Sequence, residues 1–135
     1  MKRYMLDTNT VSYLLKGYPD VTQRVVAVPM ASLCISVITK GELLFGLAKR
    51  PDAKRLHAAV RELLKRVDVL PWDSATAERY GPVRADMERQ GKVLGPLDLL
   101  IAAHALAVGT VLVTNDRAFS QVVGLHLEDW TGTLG

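Results

Sequence analysis

Short apolar runs alternate with longer stretches of helical periodicity along the whole chain, and that alternation predicts the elements. Residues 3–6 read as a first strand; Asp7-Thr-Asn-Thr10 breaks it and starts a helix to Leu15, with Thr8 or Asn9 as its cap. Residues 17–20 form a turn, 20–28 a second helix ended by Pro29, and 33–37 a second strand. Residues 39–48 form a helix with the capping-box spacing Thr39-x-x-Glu42. Residues 49–52 turn the chain, and Asp52 caps the next helix. That helix, 53–67, carries Ala53, Leu56, Val60, Leu63, Leu64 and Val67 on one stripe. Residues 68–71 are a third short strand, and Asp73 starts a helix to about Gln90 that Gly81-Pro82 kinks or splits.

Residues 97–108 are apolar on every side except at Asp98 and His104, the pattern of a helix buried all round. Pro96 suits its first turn and Gly109 its stop. The β-branched run 110–114 reads as a central parallel strand and ends in Asn115-Asp116. Residues 117–122 give one or two helical turns that Asp116 can cap, 125–128 an edge strand, and the last few residues a frayed end. Strands alternating with helices imply a single α/β domain over 1–135, its sheet parallel and covered on both faces. In such sheets sites form beyond the carboxyl ends of the strands, where Asp7 and Asp116 both fall.

The chain has 135 residues, 49% of them hydrophobic and 23% charged, which is globular rather than disordered composition. One cysteine, Cys34, excludes a disulfide within the chain and fits a reducing cytoplasm. Its apolar neighbours mark it as a small core residue. No apolar run is long enough to span a bilayer, and the N-terminus lacks the apolar stretch of a signal peptide. Net charge is +3, and the basic excess concentrates at Lys49, Arg50, Lys54, Arg55, Arg61, Lys65 and Arg66, where phosphate contacts are expected. The bland reading of that run is a solvated helix face.

Asp7, Glu42, Asp98 and Asp116 are the candidate chemistry. Each has a modest reading: a turn residue, a capping-box member, a charge favoured at a helix N-terminus, and an N-cap. Jointly, all four sit where a strand meets a helix or early in a helix, so one sheet edge can collect them. Clustered carboxylates raise one another's pKa values unless a cation neutralises them. Oxygen-only ligands favour Mg²⁺ or Mn²⁺ over zinc and leave room for a phosphate oxygen, which is the chemistry of metal-assisted phosphodiester hydrolysis. Rival acid-rich sites lack their marks: Asn9 stands where an aspartyl-phosphate phosphatase needs a second Asp, and no P-loop or Gly-x-Ser-x-Gly elbow is present. His57, His104 and His126 show no metal-ligand spacing, and His104 reads as a hydrogen-bonded core residue.

At these residues the chain resembles a known family. Met5-Leu-Asp7-Thr-Asn9, Ser36-Val-Ile-Thr-Lys-Gly-Glu42-Leu-x-x-Gly46, Gly95-Pro-Leu-Asp98-Leu-Leu-Ile-Ala-Ala-His104-Ala and Val113-Thr-Asn-Asp116-x-x-Phe119 look like the motifs of PIN-domain nucleases. More closely they resemble the VapC toxins of bacterial toxin–antitoxin pairs, from the first strand to Trp130. The resemblance implies a three-layer α/β/α sandwich with a short, mostly parallel sheet. It implies a Mg²⁺- or Mn²⁺-dependent endoribonuclease acting on structured RNA, often a transfer RNA. It also implies a homodimer held inactive by a VapB-type antitoxin, in a larger assembly on operator DNA. Asp7, Glu42, Asp98 and Asp116 are then the catalytic, metal-binding acids, and Asn9, Thr114 and Asn115 are auxiliary. Lys49, Arg50, Arg55 and Arg61 would contact the RNA.

Two rivals stand beside that reading. One is a binding module with an idle acid site that recognises RNA or a protein through the 49–66 face. The other is a nuclease directed at DNA, since phosphate contacts serve either polymer.

Overall fold

In the computed structural model, which describes residues 2–132, every strand pairing is parallel. β1 (Tyr4–Leu6), β2 (Leu33–Ser36), β3 (Asp68–Leu70), β4 (Val111–Val113) and β5 (Leu127–Glu128) lie in the order β3-β2-β1-β4-β5. The helices are α1 (Thr8–Leu15), α2 (Pro19–Ala27), α3 (Val37–Ala48), α4 (Lys54–Arg66), α5 (Ser74–Arg89) and α6 (Pro96–Val108).

The pleat divides the core. Leu6, Leu33, Ile35 and Val113 point to one face, where they meet Val11 of α1, Val21 and Val25 of α2, Leu43 and Leu47 of α3, and Val60 of α4. Met5, Cys34 and Leu112 point to the other, where they meet Met87 of α5, Ile101, Ala102 and Ala105 of α6, and Phe119. Successive strand residues face opposite ways, so strands only two to four residues long feed both layers at once. The result is a three-layer α/β/α sandwich. Cys34 is fully buried, and burial pushes its thiol up to about 11. It is therefore expected to resist alkylation in the native protein and to react in denaturant, as peptide mass spectrometry would record.

The local expectations need several corrections. α1 is capped by Asp7 rather than Thr8 or Asn9: Asp7 Oδ1 accepts the Thr10 N–H at 2.8 Å. α2 begins at Pro19, a residue earlier than expected. α3 begins at Val37, with the Ser36 hydroxyl accepting from the Ile38 N–H, so Val37 leaves β2 and no Thr39–Glu42 capping box forms. A helix that starts earlier leaves Glu42 a full turn inside, free to look sideways. α4 starts at Lys54 behind Ala53 without a side-chain cap, so Asp52 does not cap it. Pro82 neither splits nor ends α5. Pro82 and Glu78, whose carbonyl loses its partner, are both exposed, so water can take that bond.

α6 is enclosed on all sides only from Ile101 to Ala105; Leu97 and Val108 stay exposed at its ends, 45% and 41%. Gly109 closes it in the left-handed conformation, φ 70°. β5 is shorter than expected, and 117–121 is a 3₁₀ segment. The fraying expected of the last residues falls on 133–135, outside the described residues. Among the described residues, no helix is long and apolar enough to cross a membrane.

Candidate functional site

The sheet order reverses between β1 and β4: the chain goes from β1 to β2 and β3 on one side, then returns to β4 on the other. That switch point opens a crevice beyond the strands' carboxyl ends, and Asp7 and Asp116 stand at its two sides. The Asp7 N–H donates to the Val113 carbonyl at 3.0 Å, and the Thr10 hydroxyl donates to the same carbonyl at 3.0 Å. α1 is thereby fastened to β4. Asp7 is 3% exposed, and burial raises its carboxyl above the ordinary value against hydrogen bonds from Thr114 and Thr10 that lower it. The nearby Asp116 charge adds to the rise.

Asp116 caps the 3₁₀ segment Arg117–Gln121, its Oδ1 accepting the Ala118 N–H at 2.9 Å. Its own N–H donates to the Thr114 hydroxyl at 3.0 Å, and the same threonine lowers the Asp7 carboxyl against its burial. One buried threonine thus bears on two acids. Asp98 sits in the first turn of α6, entered through Gly95 and Pro96. Its carboxyl is raised by burial first, then by the charges of Asp116, Asp7 and Glu42. Glu42 comes from α3 and accepts from the Thr8 hydroxyl, which lies 3.4 Å from the Thr39 hydroxyl. The four acids therefore meet in one electrostatic site drawn from the starts of α1, α6 and the 3₁₀ segment and from within α3.

The other expected residues separate. Asn9 is exposed, and its side chain joins none of the hydrogen bonds among the described residues. Asn115 Nδ2 donates to the Tyr13 hydroxyl at 3.1 Å, which braces β4 against α1 rather than touching an acid. Lys49 and Arg50 line a groove of about 320 Å³ together with Thr8, Lys16 and Glu42, whereas Arg61 opens on a separate cavity with Lys40 and Lys65. Arg55 is exposed on α4.

His104 is fully buried, with Nδ1 2.7 Å from the Ser36 hydroxyl and a pKa lowered by burial. It ties α6 to the start of α3 as a core residue. Sequence reasoning missed Thr8 as the partner of Glu42; the signal was the hydroxyl beside Asp7, which a cap had seemed to explain.

Among the described residues, no three acidic, histidine or cysteine side chains close into a ready coordination shell. What they form is a hard-oxygen set carrying uncompensated negative charge, since no lysine or arginine is paired with any of the four. Burial first, and that charge after it, raises the Asp7 and Asp98 carboxyls, and a divalent cation that prefers oxygen suits the set. The donor set fits Mg²⁺ or Mn²⁺.

An all-parallel α/β/α sandwich with an acidic crevice at its switch point defines the class, and known proteins share it. The PIN domain family model matches residues 4–125. The tRNA(fMet)-specific endonuclease VapC of Shigella flexneri is 38% identical over 97% of this chain and 100% of its own length. Ribonuclease VapC2 of Haemophilus influenzae is 36% identical over 96% and 99%. The chain belongs to the PIN-domain family, and within it to the VapC group. Among solved structures, DNA-bound VapBC from Salmonella typhimurium superposes with a TM-score of 0.89 at 38% identity, covering 96% of this chain and 99% of that one. VapBC2 from Rickettsia felis bound to a promoter DNA fragment gives 0.86 at 31%, covering 94% and 98%.

Proposed function

We propose that this chain is the toxin of a type II toxin–antitoxin pair and a divalent-metal-dependent endoribonuclease acting on structured RNA, a transfer RNA in the first instance. The observation that carries the reading is the meeting of Asp7, Glu42, Asp98 and Asp116 at the switch point, with the Asp98 carboxyl raised by burial and then by the charges of the other three. Relatives named as VapC ribonucleases over nearly the whole chain support it.

Asp7, Asp98 and Glu42 would hold Mg²⁺ or Mn²⁺, with Asp116 as the fourth acid. When bound, the metal supplies a Lewis acid that activates water and offsets charge on the scissile phosphate. The chain's own contribution is orientation. Capping bonds lock Asp7 and Asp116, the Thr114 hydroxyl accepts the Asp116 N–H, and the Thr8 hydroxyl aims Glu42. No histidine stands at the acids: His104 is enclosed in the core, His57 bonds the Arg50 carbonyl, and His126 lines a cavity with Lys2, Gly109 and Thr110. The expected products therefore carry a 5′-phosphate and a 3′-hydroxyl. A cognate VapB-type antitoxin would block the site, and the active unit would be a homodimer that joins the antitoxin on operator DNA. Structures of VapBC on DNA support that assembly.

The test is end-mapped cleavage of total tRNA by purified protein, with Mg²⁺ and with EDTA. Discrete cuts bearing 5′-phosphates that vanish with EDTA are expected. Cuts leaving 2′,3′-cyclic phosphates and surviving EDTA would overturn the metal mechanism.

A further inference from the structure

α3 does more than deliver Glu42. Counting along it from Glu42, Phe45 follows at i+3 and Lys49 at i+7, so all three lie along one side of the helix. Phe45 is 63% exposed, an unusual position for an aromatic ring, and the Lys49 ammonium stands 4.7 Å from its ring centroid. Lys49 also lines the groove that holds Glu42, beside Lys16 and Arg50. Lys16, Lys49 and Arg50 take part in none of the ion pairs formed among the described residues.

We propose that Phe45 is a stacking platform for an unpaired base of the RNA substrate, and that Lys16, Lys49 and Arg50 form the phosphate track leading from it to the acids. The assignment rests on the nuclease reading above and extends it to a substrate-contact site.

Charge complementarity favours RNA as the occupant. Four carboxylates repel a polyanion, so cations must hold the strand where it passes them, and three unpaired cations line the same groove as Glu42. Glu42 and Lys49 are seven residues apart, about 10 Å along the helix axis, a span that a few nucleotides cover. An exposed ring backed by a cation is the usual receptor for an unstacked base, and it accepts any base because all present a π-face. Arg61 and Lys65 belong to a separate cavity with Lys40 and lie outside the track.

The experiment is fluorescence anisotropy in EDTA, so that no cleavage occurs, with a fluorescein-labelled single-stranded RNA of mixed sequence and total tRNA as competitor. Phe45→Ala is expected to weaken binding about tenfold and Phe45→Trp to restore it. Lys16→Ala, Lys49→Ala and Arg50→Ala are each expected to lower the salt dependence of log Kd by about 0.7, while Arg61→Ala leaves it unchanged. Melting temperature and Mn²⁺ binding should not move in any of these variants.

Wild-type binding with Phe45→Ala unchanged would overturn the platform and leave the nuclease reading standing. A Phe45→Ala protein that binds RNA normally but sediments as a smaller species would overturn it too, and would make the ring a protein contact. Failure of the wild type to bind any RNA in EDTA would overturn the platform and the track, while the end-mapped cleavage with Mg²⁺ decides the nuclease reading separately.

Discussion

Asp98→Asn is expected to cut RNA cleavage by about a thousandfold while leaving the metal-free protein as stable as the wild type or more so. Two effects compete at this position. A negative charge in the first turn of α6 gains roughly 0.3–1 kcal/mol from the helix N-terminus. Against it stand burial and the charges of Asp116, Asp7 and Glu42, which together raise the Asp98 carboxyl, so the unfavourable side wins.

A carboxyl raised in the fold binds its proton more tightly there than in the unfolded chain. Its favourable contribution is therefore present at low pH and is lost as pH rises through the folded-state value. At neutral pH the charged Asp98 weakens the fold, and asparagine removes that cost while keeping the shape. Single-turnover cleavage and the melting temperature in EDTA check the two halves. A variant that melts clearly lower would show that α6 depends on the charge for capping, and the catalytic assignment would lose its main support.

Divalent cation should act in the opposite sense. At about a hundredfold excess over its Kd, Mn²⁺ is expected to raise the melting temperature of the wild type by on the order of 10 °C. The gain comes from binding the folded state alone, since the four acids are assembled only there. It should shrink sharply in Asp98→Asn and in Asp7→Asn, each of which withdraws one of the acids. It should also grow as pH rises through the folded-state values of Asp7 and Asp98, because metal and proton compete for those carboxyls, both raised in the fold. Differential scanning fluorimetry across metal concentration and pH reads all of this. An equal shift in wild type and both variants would mean that the ion binds elsewhere.

The fold class and the four acids were legible in the residues because they rest on local patterns. β-branched runs followed by helical stripes announce a parallel sheet, as 110–114 beside 97–108 does, and Asp7 and Asp116 fall at strand ends by position alone. Helix starts were read less well. Several residues before α1, α3 and α4 are chemically able to cap, and the choice depends on which one the tertiary turn aims back at the helix. Asp7 was taken by α1, Ser36 displaced Thr39, and Asp52 was left unused.

Distance across the sheet was not legible at all. The bearing of Thr114 on the Asp7 carboxyl, the hold of Thr8 on Glu42, and the parting of Lys49 and Arg50 from Arg61 are all relations that periodicity cannot give. The sequence by itself determined which side chains carry charge and which strands end beside them. Only the tertiary structure decided which of those charges meet, because burial and Coulomb forces act through space and the sheet order β3-β2-β1-β4-β5 sets the spacing.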